Sequence, residues 1–434
     1  MSPSELIRLE AVFASVLSEN VVDQVGRDTG QSRRLRVVTP QRLFLTIVAA
    51  LAGSQAGSLA ALQRSFNHRF GQRTAYKAFY NRLAHPGFAE FMREMLCRLM
   101  GALALKTLRP ELGSELAMFS DIIIQDGTSF ALNDSLKATF PGRFTKNDPA
   151  AVELHATFSG FQDEVISVSL APDKEAERQF LPTPDELKGK LLLADRGYPS
   201  VDYFKSLDEA GAHFVMRLPK GFNPDVRAYY SKSGRRYPVR SGTRLAAFIA
   251  DKQGKSLDLD VAYVRGKSHV EGRIIVLWRG TRDVTRLACN LPRDRFSKAQ
   301  VAQLYRFRWQ VELCFKEWKS YANLQRFDTG NRYIVEGMIW ASLCAAVLKR
   351  FLAHAAQRVF GAPISTRRVS MCPDLLGALF TAITMGPRHL SAALVLALTF
   401  LDFNAQRADV KRDRRTGRLQ LGLGHARPAG RPAK

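Results

Sequence analysis

Cysteine is sparse in this sequence, long apolar runs are missing, and acids fall well short of bases. The five cysteines, Cys97, Cys289, Cys314, Cys344 and Cys372, are scattered, odd in number and mostly set in apolar helical contexts. That pattern argues against a disulfide framework and a structural zinc site, and it suits a reducing compartment. The N-terminus lacks the charged-then-apolar pattern of a secretory signal. The longest uncharged apolar runs, GMIWASLCAAVL and LSAALVLALTFL, are about a dozen residues, the length of a core helix and too short for a bilayer. No internal repeat is visible. The shortage of acids is the most informative absence: 64 Lys and Arg face 40 Asp and Glu, leaving a net charge of +24. A chain this basic seeks polyanions, nucleic acid first. A ribosome-associated or merely cationic protein would fit the same number.

What is present suffices for a folded protein. With 434 residues, 46% hydrophobic and 24% charged, the chain can hold a full-sized core and roughly two to four domains. Residues 1–115 read as helices, QRLFLTIVAALAG, SLAALQRSFNHRFG and TAYKAFYNRLAH, punctuated by glycine or proline. Arg64, Arg69, Arg73, Lys77 and Arg82 interleave there with Phe66, Phe70, Tyr76 and Tyr80. This suits a helix-turn-helix-like DNA-binding domain, with a bundle carrying a solvated basic face as the open alternative.

Over residues 116–220 the period changes. FSDIIIQDGTSF, VELHATFSG and EVISVSLAP are three successive strands, and KLLLADRGYPS is a fourth. A helix that Ser200 can cap and Gly211 can stop then leads to a fifth strand, HFVMRLP. The class is therefore α/β. Residues 221–292 carry alternation, glycine turns and many arginines, and read as a β-rich insertion. Helices return over 293–345 and continue as a C-terminal helical region over 346–406. Residues 407–434, with nine Lys or Arg against two Asp, are expected to form a disordered basic tail.

Two of these strands lead into an aspartate. By the period-two rule, Ile122, Ile124 and Asp126 share a face, as do Leu191, Leu193 and Asp195. Each aspartate is followed at once by turn residues, Gly127 or Arg196-Gly197, which puts it at the sheet rim where α/β proteins bind ligands. Capping of the following turn is the alternative reading for either residue alone.

Further on, LYRFRWQVELCFKEWKS (Leu304–Ser320) combines an apolar stripe with Tyr305, Arg308, Glu312 and Lys319. At roughly 100° per residue, a single helix places those four within an arc of about 60°. Leu304, Phe307, Val311, Cys314, Phe315 and Trp318 fall on the adjacent arc. Such a helix buries one stripe and holds the other at its margin, as an ordinary amphipathic helix or as one wall of an active site. Two strand aspartates and Glu312 would form an oxygen-only cluster suited to hard cations such as Mg²⁺ or Mn²⁺. A pair of such ions can activate the attacking oxygen and stabilise the leaving one in phosphodiester chemistry.

The spacing of Tyr305, Arg308, Glu312 and Lys319 resembles the Y-R-E-K signature of bacterial insertion-sequence transposases of the DDE type, the IS-four family. QDGTSF around Asp126 and LADRGY around Asp195 resemble that family's two aspartate blocks, and AGAHFVMRLPKG the segment after them. The resemblance covers roughly residues 118–340. It implies an RNase H-like mixed sheet, its first part in 116–220 and the rest with the glutamate helix in 293–345, interrupted by the β-rich insertion. It also implies that Asp126, Asp195 and Glu312 are catalytic and bind two Mg²⁺ or Mn²⁺ ions, and that Tyr305, Arg308 and Lys319 contact DNA at the transposon end. Arg217 is a further candidate DNA contact, with a solvated arginine as its alternative. Trp278 could stack on an extruded base but reads better as a sheet residue, and His155 as a core histidine outside the site.

The function implied is binding of terminal inverted repeats, metal-dependent cleavage of the ends through a hairpin, and transfer of the 3′ ends to target double-stranded DNA by a homodimer. Membrane association is not expected; a bacterial cytoplasmic, nucleoid-associated location is. Two rivals share the charge pattern: a DNA-binding regulator descended from a transposase without catalysis, and a structure-selective nuclease. All three expectations carry one consequence. Affinity for duplex DNA, measured by fluorescence anisotropy, falls steeply as salt rises, because neutralised phosphates release counterions; a flat salt response would contradict the polyanion reading.

Overall fold

The computed structural model describes residues 3–407 apart from 54–56, 106, 112, 145, 232, 266–267, 281–282, 325–326 and 328, together with 421 and 423–425. The chain opens with helices α1 (Pro3–Leu17), α2 (Glu19–Asp28), α3 (Pro40–Ala52), α4 (Leu59–Phe70), α5 (Tyr76–Leu83) and α6 (Pro86–Ala102). Local chemistry explains their limits. Thr39 accepts from the Arg42 N–H ahead of Pro40 to start α3, and Ser58 accepts from the Ala61 N–H to start α4. Gly71, at φ 60°, ends α4 in the left-handed region where a side chain is disfavoured.

A short strand, β1 (Leu108–Pro110), precedes the meander β2 (Ile122–Ala131), β3 (Ala151–Ser159) and β4 (Glu164–Pro172). Then come β5 (Leu191–Ala194), α7 (Val201–Glu209) and β6 (His213–Arg217). Ser200 caps α7 by accepting from the Tyr203 N–H, and Gly211, at φ 70°, turns the chain away from it. Residues 221–292 supply β7 (Asp225–Tyr230), β8 (Arg236–Pro238), α8 (Leu245–Asp251), β9 (Leu257–Arg265), β10 (Ser268–Arg279) and β11 (Asp283–Cys289). The rest is α9 (Lys298–Phe307), α10 (Trp309–Tyr321), α11 (Arg332–Phe360), α12 (Thr366–Ser370), α13 (Leu375–Met385), α14 (Pro387–Asn404) and β12 (Leu423–His425).

Ten strands form one sheet in the order β4-β3-β2-β5-β6-β11-β10-β9-β7-β8. The pairs β2–β5 and β5–β6 are parallel and the remaining ladders antiparallel. An antiparallel meander followed by two parallel strands is the RNase H-like order, and the α/β class stands. The insertion continues the same sheet: Leu287, Ala288 and Cys289 of β11 pair with Arg217, Met216 and Val215 of β6.

Alternate residues of the central strands enter different cores. Ile122, Ile124, Leu191 and Leu193 join Leu304, Phe307, Val311 and Trp318 of α9 and α10 on one face. Ile123, Leu192 and Ala194 join Phe204 and Leu207 of α7 and Leu245 and Ile249 of α8 on the other. β5 reads LLLA without alternation because both of its faces are covered.

Three expectations are corrected. The boundary between 345 and 346 falls inside the single 29-residue helix α11. α11 packs on α6 so closely that a Cβ at Gly337 would lie 2.3 Å from the Phe88 ring. Helices from both ends of the chain therefore share one core with the sheet. The stretch read as one helix over Leu304–Ser320 breaks at Arg308 into α9 and α10. Most of the tail expected to be disordered, 408–420, 422 and 426–434, lies outside the described residues; where it is described, Leu423–His425 pairs antiparallel with Leu108–Pro110, and Leu421 and Leu423 are buried, so that short piece is ordered by apolar burial.

Buried charges tie these pieces together. The Lys349 ammonium donates to the Ala52 carbonyl at the end of α3 (2.6 Å) and to the Ser370 carbonyl of α12 (2.8 Å). Arg350, 4% exposed, donates to the Asp163 carbonyl (2.6 Å) and carboxylate (2.8 Å) in the β3–β4 turn and to Glu317 of α10 (2.9 Å). Thr366 of α12 donates to the second Glu317 oxygen at 2.8 Å. Removing the arginine strands buried acids without their counter-ion. Arg350→Ala should cost about 3–5 kcal/mol in urea unfolding; a loss under about 1 kcal/mol would show that the acids find other compensation.

Candidate active site

The parallel register sets two acids side by side. Ile122 to Gln125 of β2 pair with Leu191 to Ala194 of β5, so Asp126 and Asp195 come next on adjacent strands, facing the core that holds α9 and α10. β2 does not end at Asp126, as the Asp-Gly pair suggested, but runs on to Ala131. Gly127 serves a close approach: a Cβ there would lie 2.4 Å from a Glu153 carboxylate oxygen. Gly197 does the same after Asp195, where a Cβ would lie 1.7 Å from Glu177.

The third acid comes from α10. Its buried stripe of Val311, Cys314, Phe315 and Trp318 docks it on the sheet and leaves Glu312 at the margin. At the break, the Arg308 N–H bonds to the Tyr305 carbonyl (3.1 Å) and the Val311 N–H to the Arg308 carbonyl (3.2 Å). These tighter three-residue steps keep the backbone right-handed while the helix changes over. Arg308, Glu312 and Lys319 of the stripe line the same cleft, and Tyr305 reaches its edge through Asp195.

Arg308 lies at its centre. One guanidinium nitrogen donates to Asp126 Oδ2 and the other to Glu312 Oε1. Tyr305 Oη donates to Asp195 Oδ1 at 2.8 Å, and Arg217 Nη1 stands 3.8 Å from that oxygen. Lys319 Nζ donates to the Ser129 carbonyl at 2.7 Å. The open space between them is about 570 Å³, lined also by Thr128, Lys316 and Ser320. Sequence reasoning missed Lys316, although its place four residues after Glu312 on the same helix face is the signal that finds it.

Burial, opposed by Arg308 and reinforced by Glu312 and Asp195, pushes the Asp126 carboxyl up to about 6. Burial also works against the charge on Arg308, yet Asp126, Tyr305, Asp195 and Glu312 outweigh it and raise that group. Among the described residues, no three His, Cys, Asp or Glu side chains stand close enough to hold a metal ion as they are. Arg308 occupies the space between two of the three acids.

Behind the cleft, Glu153 of β3 is pushed up to about 7 by burial and by Glu177, against the pull of Arg143 at 3.2 Å. His155 stacks on Phe180 with ring centroids 3.8 Å apart, burial lowers it to about 4, and neither ring nitrogen has a hydrogen-bond partner. It sits across from Gly127 in register, outside the cleft. Trp278 lies on β10 against the second core, also away from the cleft.

A sheet of this order, with acids from two neighbouring parallel strands and a third from a helix laid across them, defines the RNase H-like class. Within it, the family described as transposase DDE domain matches residues 117–348, and the chain belongs to that family. It is 23% identical to the transposase for insertion sequence element IS1151 of Clostridium perfringens, over 69% of this chain and 71% of that one. It is 18% identical to the transposase for IS231C of Bacillus thuringiensis subsp. berliner, over 90% of each. Among solved structures, a piggyBac transposase synaptic complex with hairpin DNA aligns with TM-score 0.47 and 12% identity over 98% of this chain and 86% of that one.

The Glu153 shift has a sign that can be checked. A carboxyl raised in the folded state is stabilising while protonated and loses that contribution as pH rises through its folded value, here about 7. Glu153→Gln should match the wild type at pH 4 and exceed it at pH 8 by on the order of 2–3 kcal/mol in denaturant unfolding. A constant difference across that range would contradict the shift.

Proposed function

We propose that this protein is a DNA transposase that binds the terminal inverted repeats of an insertion sequence, cleaves the ends through a hairpin, and joins the 3′ ends to target DNA. The observation that carries the reading is the convergence of Asp126, Asp195 and Glu312, from β2, the end of β5 and α10, on one cleft edged by Lys316 and Lys319. Family membership supports the DNA chemistry, and the shared cleft supports this choice of residues.

The donor set is entirely oxygen, which fits Mg²⁺ or Mn²⁺. Three acids share this cleft with one guanidinium that bridges two of them, and like charges set this close are eased by cations. Asp126, Asp195 and Glu312 would hold two divalent ions, which would supply the charge that favours attack on a phosphodiester and stabilises the leaving oxygen. Tyr305 orients Asp195 through its hydroxyl. Arg308, Lys319 and Arg217 are the cations that would hold the scissile strand's phosphates, Arg308 by its fork and Lys319 as a point charge.

The helical N-terminal region supplies the matching surface. Residues 29–89 contain nine Lys and Arg and no Asp or Glu. Within them α4, a tight turn and α5 form a helix pair whose second member exposes Tyr76 and Lys77, next to exposed Arg73. The opening residues of a second helix are where such pairs read a major groove. Two ends held together require two copies of the site, hence a homodimer on DNA.

A plasmid excision assay, with the DNA flanking the reading frame as donor and Mg²⁺ present, tests the proposal. Wild type should release a discrete fragment. Glu312→Gln should release none while its affinity for the flanking DNA stays within about threefold, since one neutralised acid removes chemistry and not the docking cations. If neither protein releases a fragment although both bind, the catalytic reading falls and a non-catalytic DNA-binding descendant takes its place.

A further inference from the structure

We propose that Arg308 is the resting counter-ion of the carboxylate set, and that loading the site makes it exchange Asp126 and Glu312 for a DNA phosphate. The inference rests on the functional reading above and adds how the site is regulated. Its consequence is that divalent ions and transposon-end DNA enter cooperatively, each weakly without the other.

The geometry carries it. Arg308 is 7% exposed and uses both terminal nitrogens on acids of two different elements, the strand residue Asp126 and the helix residue Glu312. Asp195 is likewise engaged from within the chain, by the Tyr305 hydroxyl and, more distantly, Arg217. One oxygen of each of the three acids is therefore already engaged by Arg308 or Tyr305, and among the described residues no three ligand side chains stand together. A divalent ion that draws Asp126 and Glu312 together competes with the guanidinium for the oxygens that face it. It must displace a charge-assisted pair that sits out of water, where such pairs are strong.

Arg308 is also placed to leave. It occupies the junction between α9 and α10, the one position in Lys298–Tyr321 outside both helices, bonded to Tyr305 on one side and Val311 on the other, so its side chain turns on a point that both helices share. Its Nε is buried without a partner, so the resting arrangement leaves a donor unmet. A phosphodiester entering the cleft beside Lys316 and Lys319 offers Arg308 a fork-shaped acceptor and frees the acids at the same moment. Coupling of this kind is reciprocal: whatever DNA does for metal affinity, metal does for DNA affinity.

Mn²⁺ binding to the full chain, followed by the electron paramagnetic resonance signal of the free ion, tests the exchange. Wild type without DNA should bind weakly. Arg308→Gln should bind Mn²⁺ roughly tenfold more tightly, the scale of losing one charge-assisted competitor. A duplex carrying the element's end should tighten wild type by a similar factor and leave Arg308→Gln nearly unchanged. Arg308→Lys, which keeps the charge but cannot bridge two acids, should fall between, and it serves as the readout should the glutamine variant fail to fold. Two results overturn the proposal differently. If neither Arg308 variant gains affinity while Asp126→Asn abolishes binding, the acids hold metal without competition from Arg308, and only the exchange fails. If no protein binds Mn²⁺ with or without DNA, the metal reading fails together with the exchange.

Discussion

Parallel pairing of β2 with β5, begun at Ile122 with Leu191 and carried through Gln125 with Ala194, determines where the rest of the site can stand. The register makes Asp126 and Asp195 the next residues on neighbouring strands. Alternation then sends both toward the core that receives α9 and α10. A slip of one residue in either strand would turn its acid into the core under α7 and α8 and exchange its apolar residues between the two cores. The many buried apolar residues on both faces of this pair hold the register. Positioning of the two aspartates is thus a by-product of core packing.

Putting a third acid beside them creates an electrostatic problem, since like charges in a poorly hydrated cleft raise one another's energy. The chain answers it locally with Arg308, Tyr305 and Arg217. It also holds α10 rigidly from behind. Glu312 faces the cleft, whereas Glu317, on the same helix, is buried against Arg350 and Thr366. A rotation of α10 that moved Glu312 would also pull Glu317 off Arg350. One helix therefore carries two acids with opposite tasks, one in the cleft and one fixing the angle at which the first is presented.

Most of the site was legible from the sequence because it follows short-range rules. The period-two faces of IIIQD and LLLAD and the spacing of Tyr305, Arg308, Glu312 and Lys319 hold in the folded chain. What escaped depends on partners distant in sequence. The break at Arg308 is invisible to periodicity, because the residue keeps right-handed dihedrals and the polar stripe persists across it. Gly127 reads as a turn signal, yet it is a glycine because Glu153 of the next strand leaves no room for a side chain. The strand Leu423–His425 was hidden by the basic residues around it, its partner lying about three hundred residues upstream at Leu108–Pro110. The unity of the two helical regions was unreadable for the same reason: only the folded chain puts Phe88 against Gly337.

That unity bears on how DNA binding and cleavage communicate. The acid-free segment 29–89 contains α3, whose last carbonyls receive Lys349 of α11 and the Asn323 amide from just beyond α10. The next residue of α11, Arg350, grips Glu317 of α10. Neighbouring side chains on one long helix thus touch α3, within the acid-free segment, and the helix that carries Glu312. Interiors packed this closely transmit displacement without absorbing it. On the function proposed above, a load that DNA placed on the N-terminal helices would meet α10 through these few buried polar contacts, and the place where α10 begins is the junction residue, Arg308, that bridges two of the acids.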